Sequence, residues 1–154
     1  MLLALAARSP DDDDLLVAFR DFMFRWQSDL QAGSVNCEWS IDVEGDMLCV
    51  APHATLQVLR VAQEGLTNVA KHANASRVEL SLWSRDGRVG LRIADDGVGI
   101  PAGMSPGGRG TRNMRERALQ LAGTLAIEPG EPRGTVVTMN LPLAPLPPRS
   151  APQA

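Results

Sequence analysis

The sequence predicts an α+β domain with a mixed, mostly antiparallel sheet and helices on one face. Two observations carry that reading. Short stretches of alternating apolar residues come mainly in pairs joined by turn formers, and they are interrupted by stretches with apolar residues at helical spacing. The resulting order is helix, two strands, long helix, hairpin, glycine-rich loop, helix, hairpin, with no internal repeat.

The first helix rests on Leu15, Phe19, Phe22, Trp26 and Leu30, preceded by the acidic run Asp11–Asp14 and stopped at Gly33. Acidic residues suit the positive end of a helix dipole. Its apolar stripe suits either packing on its own domain or a connecting or dimer helix. Cys37, Trp39, Ile41 and Val43 alternate as a strand, Glu44-Gly45-Asp46 turns, and Met47–Val50 is expected as a partner strand before the break at Ala51-Pro52. A long helix follows from about Ala54 to Ala73, with Leu59, Ala62, Leu66, Val69 and Ala73 apolar and Gln57, Arg60, Glu64, Asn68 and Lys71 opposite. Gly65 costs this helix about 1 kcal/mol against alanine, so either a close approach or tight packing must require it.

Val78, Leu80 and Leu82, then Val89, Leu91 and Ile93, form a hairpin about Arg85-Asp86-Gly87. The turn Asp95-Asp96-Gly97-Val98-Gly99-Ile100-Pro101 opens a loop dense in glycine and proline that runs to Gly110. Met114, Ala118 and Leu121 mark a helix ending at Gly123, and strands near Thr124–Glu128 and Thr135–Leu141 close the fold. Three stretches result: 1–33, an N-terminal helix and linker region; 34–143, the main domain; and 144–154, a proline-rich tail expected to be disordered.

Composition bounds the function. The chain has 154 residues, 44% of them hydrophobic and 21% charged, as a globular domain with a core requires. Fifteen basic against eighteen acidic residues give a formal charge of −3. A dedicated nucleic-acid binder would need a basic face, and a polybasic membrane segment is absent. The apolar start Met1–Ala7 is far short of the roughly 20 residues of a membrane span, and it reads as the end of a longer helix. Cys37 and Cys49 match no zinc spacing and sit among apolar residues, so free thiols in a reducing compartment are expected.

Three local patterns suit chemistry. Glu64, Asn68 and Lys71 fall within roughly 40–60° of one another on a helix. They make either a solvated polar face or a site for a metal with phosphate: a hard amide oxygen for Mg²⁺, a carboxylate for a metal-bound water or for general-base work, and an ammonium for phosphate. Asp95 with Gly97 and Gly99 is either an ordinary turn or a carboxylate placed to accept from an exocyclic amine, with backbone free to approach a flat ring. The glycines before the third helix would offer amides to phosphate, and Arg112, Arg115 and Arg117 lie nearby. No Walker loop and no dinucleotide-binding glycine fingerprint is present.

In this order and spacing the three patterns resemble one family. Gln63-Glu64-Gly65-Leu66-Thr67-Asn68-Val69-Ala70-Lys71-His72-Ala73 is similar to the N box of the ATP-binding domain of sensor histidine kinases. Asp95–Ile100 resembles its G1 box, Gly108-Arg109-Gly110-Thr111 with Met114-Arg115-Glu116-Arg117-Ala118 its G2 box and following helix, and Gly134-Thr135 its closing pair. The N box is most similar to that of the nitrate-sensor-like subfamily. The resemblance implies a two-layer α/β sandwich shared with gyrase, the heat-shock chaperone and the mismatch-repair ATPases, with ATP and Mg²⁺ bound under a glycine-rich lid. It implies that Asn68 coordinates Mg²⁺ with Glu64 in support as the catalytic carboxylate, and that Lys71 and His72 face phosphate. Asp95 would bind the adenine amine, and Gly97, Gly99 and Ile100 would shape the base pocket. Gly108, Gly110 and Thr111 would form the lid and phosphate edge, while Thr135 would back Asp95.

The implied activity is transfer of the ATP γ-phosphoryl group to a histidine on a separate dimerisation domain, with a response regulator downstream, in the cytoplasm and without direct membrane contact from this segment. Two departures stand. The only histidines are His53 and His72, and neither resembles a phosphoacceptor site; Asn113 stands where the family pattern has glycine. A serine switch kinase of the anti-sigma type and an ATP-gated interaction module are the alternatives.

Overall fold

The computed structural model describes residues 14–44, 50, 52–100 and 108–143. Helix α1 (Leu15–Ala32) leads into strand β1 (Asn36–Val43), then come α2 (Pro52–Lys71), β2 (Arg77–Arg85), β3 (Arg88–Asp95), α3 (Arg109–Gln120), β4 (Thr124–Pro129) and β5 (Thr135–Pro142). The strand Met47–Val50 expected after β1, the acidic residues before Asp14, Cys49 and the tail fall almost wholly outside the described residues.

The five strands form one sheet in the order β1-β2-β3-β5-β4. β2 pairs antiparallel with β3, β3 with β5 and β5 with β4, and β1 lies parallel to β2 in a register that sets Trp39 beside Leu80. The parallel pair follows from α2, which carries the chain back to the end at which β1 began. Alternation then sorts the residues: Val78, Leu80, Leu82, Val89, Leu91, Ile93, Val137, Met139 and Leu141 are buried on one face. The other face carries charged pairs in water, Arg77 with Glu38 and Glu79, and Arg85 with Asp42.

α1 belongs to this core. Leu15, Leu16, Phe19, Phe22, Met23 and Leu30 are buried in the same cluster as the sheet residues, so the helix packs on its own domain and residue 33 is not a break in packing. Asp14 caps it by accepting from the Leu16 amide at 2.9 Å. Gln27 then clamps helix to strand, donating to the Cys37 carbonyl and accepting from Trp39 Nε1, while Phe19 stands edge-on to the Trp39 ring.

On α2 the buried face is Val58, Val61, Ala62, Leu66 and Val69. This corrects the sequence reading by part of a turn: Leu59 is only half-buried, and the helix stops at Lys71, leaving His72 and Ala73 outside it. Gly65 is there for packing, since a Cβ would lie 2.5 Å from Ile93 Cδ1. Among the described residues no helix is long and apolar enough to cross a membrane.

Candidate nucleotide site

The site is built outward from the C-terminal end of α2. The Asn68 carbonyl accepts from the His72 amide at 2.9 Å and the Ala73 amide at 3.1 Å, which closes the helix. The Ala73 carbonyl in turn accepts from the Val98 amide at 2.7 Å. The turn after β3 is therefore held two hydrogen bonds from Asn68. That approach needs Gly97, because a Cβ there would overlap the Ala73 carbonyl. On its other side the turn rests on the β4–β5 connection: a Cβ on Gly99 would lie 2.8 Å from the Gly134 carbonyl oxygen, and one on Gly134 would overlap the Asp95 carbonyl. Both glycines have φ in the left-handed region, at +74° and +93°.

The adjacent aspartates have opposite surroundings. Asp95 ends β3 half-buried; its Oδ1 accepts from the Gly97 amide at 2.8 Å, and the Thr135 amide also donates to the carboxylate. Burial nevertheless holds its carboxyl above the usual carboxylate range, opposed by those two amides. Asp96 accepts from the Ser76 hydroxyl and from the Ser76 and Arg77 amides. Those bonds, the Ser76 hydroxyl first, hold its carboxyl below the usual range. Asp96 thus ties the turn to the start of β2 and is spent there, whereas Asp95 faces the turn with lone pairs still open.

The third segment reaches α2 further along. A Cβ on Gly110, in the first turn of α3, would overlap Glu64 Oε1. Seven residues earlier on α2 and seven later on α3, Arg117 donates to Gln57 Oε1 at 2.6 Å. The two helices therefore run antiparallel, and a cavity of about 400 Å³ opens between them, lined by Arg60, Gln63, Glu64, Thr67, Lys71 and Arg117 among others. Glu64 and Asn68 are half-buried and Lys71 is exposed; Asn68 does not line this cavity. None of their side chains has a protein partner among the described residues.

Contacts thus link Gly110 to Glu64 on α2 and join the Asp95 turn, with Gly97, Gly99 and Thr135, through Ala73 to the end of the helix that carries Asn68 and Lys71. Ile100 is half-buried at the end of the turn, and Thr111 is half-buried in the first turn of α3. Gly108 caps α3 with φ +107°, and none of the described residues lies where its Cβ would be. His72 is exposed just past α2. Arg112 and Arg115 are exposed, while Arg117 is half-buried. Two residues escaped the sequence reading: Gln57, expected only on a polar face, and Arg133, whose Nε donates to the Asp96 and Gly97 carbonyls at 2.6 and 3.1 Å. Its place directly before Gly134-Thr135 was the available signal.

Residues 54–145 match the family described as histidine kinase-, DNA gyrase B- and HSP90-like ATPases. The chain belongs to this family. This ATPase domain is 39% identical over 142 residues to the signal transduction histidine-protein kinase/phosphatase UhpB of Salmonella typhimurium, covering 92% of the chain and 27% of the relative. It is 35% identical to the sensor histidine kinase MctS of Rhizobium johnstonii, over 90% of the chain and 30% of the relative. With the nitrate/nitrite sensor protein NarQ of Escherichia coli the identity is 31%, over 82% and 22%. The chain therefore spans less than a third of these relatives and is homologous to the catalytic ATPase domain of two-component sensor kinases. In fold it is similar to the histidine kinase domain of the Erythrobacter litoralis EL346 blue-light activated kinase, with TM-score 0.68 and 23% identity over 84% of this chain and 61% of that one. The catalytic domain of histidine kinase ThkA gives TM-score 0.70 at 16% identity, over 86% and 96%. ATP is the ligand that the family implies.

Proposed function

We propose that this domain binds Mg·ATP between the Glu64/Asn68/Lys71 stripe and the Asp95 turn, and presents the γ-phosphoryl group to a histidine on a separate dimerisation domain of the same parent kinase. The observation that supports the proposal is the fastening of the Asp95 turn to the end of α2 through Ala73, which brings a half-buried carboxylate to the helix carrying Glu64, Asn68 and Lys71, whose side chains have no protein partner among the described residues.

In this reading Asp95 accepts from the adenine amine, held by the Gly97 and Thr135 amides. Gly97, Gly99 and Ile100 form the wall against the base. Lys71, with His72 beside it, neutralises phosphate charge, and Gly108, Gly110 and Thr111 border the phosphates. The donor set suits Mg²⁺: Glu64 and Asn68 offer hard oxygens one turn apart. No cluster of three or more His, Cys, Asp or Glu lies together among the described residues, so such an ion would arrive with the phosphates and keep its waters. When bound, Mg²⁺ supplies charge neutralisation on the β- and γ-phosphates.

The protein's share of catalysis is positioning and electrostatics. The acceptor imidazole nitrogen forms a bond to the γ-phosphorus, the bond to the bridging β–γ oxygen breaks, and ADP leaves. In this reading Glu64, which has no protein partner among the described residues, takes the imidazole proton. Since His53 and His72 lie outside any acceptor pattern, the acceptor must come from elsewhere in the parent. A response regulator takes the phosphoryl group next, and the domain works in the cytoplasm. Likeness to UhpB, MctS and NarQ favours this over a serine switch kinase.

The test mixes the chain with the parent's dimerisation domain and ATP labelled at the γ-phosphate. Acid-labile label on the partner, dependent on both proteins and on Mg²⁺, is the expected result. Acid-stable label on serine would move the domain to the switch-kinase class. Regulation of a partner by Asn68→Ala without phosphotransfer would make it an interaction module.

A further inference from the structure

We infer that Arg133 is a positioning residue for the nucleotide base: it fixes the peptide unit whose amide orients the Asp95 carboxylate. The inference rests on the reading of the site given above and adds to it a residue outside every motif that suggested it.

The carbonyl of Asp96 and the amide of Gly97 belong to a single planar peptide group. Its carbonyl end accepts from Arg133 Nε at 2.6 Å, and its amide end donates to Asp95 Oδ1 at 2.8 Å. A rotation that released one bond would release the other. The Gly97 carbonyl accepts from the same Nε at 3.1 Å, so two successive carbonyls are turned toward one guanidinium. Arg133 is itself held, because the Gly130 amide donates to the Gly134 carbonyl at 2.9 Å and closes the turn that carries it. The neighbouring backbone is equally constrained: Gly134 lies against the Asp95 carbonyl and Gly99 against Gly134.

Arg133 is exposed and lies outside the core. Its removal leaves the buried residues untouched, so the loss falls on the aim of the Asp95 carboxylate. An adenine amine needs an acceptor at a fixed place, whereas guanine presents a carbonyl oxygen at the corresponding position and gains nothing from Asp95. Base discrimination therefore reads the carboxylate's orientation directly, and a general loss of stability would not mimic it.

The experiment measures the affinity of the full chain and of Arg133→Ala and Arg133→Lys for ATP, adenosine and GTP by calorimetry, with a thermal melt of each. The expected result is about a tenfold loss for Arg133→Ala with ATP and adenosine alike, on the scale of a hydrogen bond from a charged group. GTP affinity and the melting temperature stay unchanged, and Arg133→Lys, whose ammonium reaches a carbonyl, recovers part of the loss. Unaltered ATP affinity in Arg133→Ala overturns the inference. So does a loss seen with ATP but not adenosine, which would put Arg133 on the phosphates, and so does an equal loss for ATP and GTP accompanied by a lowered melt. A native chain that does not prefer ATP to GTP overturns the site itself, separately from Arg133.

Discussion

A methyl group added at Gly110 separates stability from activity. In Gly110→Ala the new Cβ would overlap Glu64 Oε1, the far end of a flexible side chain with no protein partner among the described residues. Glu64 can therefore swing aside, at a cost of order 0.5–1.5 kcal/mol if it leaves a rotamer well. Alanine within a helix is favoured over glycine by about 0.5–1 kcal/mol. The two nearly cancel, so the melting temperature should move by no more than about 5 °C for a domain of this size. Activity has no such compensation. Proton transfer by a positioned group contributes about 10²–10⁴-fold. Displacing Glu64 should then slow phosphoryl transfer at saturating ATP by at least about tenfold, with Glu64→Gln marking the larger loss. The assay is transfer to the acceptor domain alongside a calorimetric melt. Native transfer rates, or a melt lowered by more than about 10 °C, would refute the placing of Glu64.

Three further outcomes follow from the same geometry. Burial keeps the Asp95 carboxyl above its ordinary value, so the folded protein holds this proton more tightly than the unfolded chain does, and the contribution to stability is full at low pH and lost as pH rises through the raised pKa. ATP affinity should therefore fall as pH drops through that raised value, and binding there should release protons, seen as buffer-dependent binding heats; Asp95→Asn should abolish that dependence. In a double-mutant cycle, Gly65→Ala should destabilise by about 1 kcal/mol net, overpacking outweighing helix propensity. Ile93→Val removes the Cδ1 that the added methyl meets, so the pair should couple favourably by about 1 kcal/mol, and strict additivity in denaturant melts would argue against the contact. Cys37 is buried, and burial, with Glu38 beside it, pushes its thiol up to about 11. In a Cys49→Ala background, alkylation at neutral pH should be slow when folded and rapid in denaturant.

The parts of this molecule legible in its sequence are those set by period and by turn chemistry. Val78-Leu80-Leu82 and Val89-Leu91-Ile93 declare their strands because a sheet with one buried face forces alternation. The pairing of β1 did not show, since alternation in Cys37–Val43 says which face is buried and nothing about direction. Helix α2 was found with its face turned by part of a turn, because Leu59 and Ala73 look as apolar as Val58 and Val61, and only the sheet decides between them. Glu64, Asn68 and Asp95 could be paired on sequence only through the resemblance. The link itself runs through backbone, from Asn68 to Ala73 to Val98, and backbone bonds leave no side-chain signature beyond glycine. Arg133 and Gln57 were missed for the complementary reason: a surface arginine or glutamine is unremarkable until something comes within its reach.

The twin aspartates carry one last consequence. They stand next to each other, one at the end of β3 and one just beyond it, and their tasks are not interchangeable: Asp96 fastens the chain and Asp95 is held open. A one-residue slip of β3 against β2 would bring Asp96 to the place of Asp95 in one direction, or Asp95 to the clasp in the other. The composition would hardly change, yet one of the two places would lose its carboxylate. Alignment of this hairpin is thus guarded twice, once by the oil beneath it and once by the chemistry at its open end.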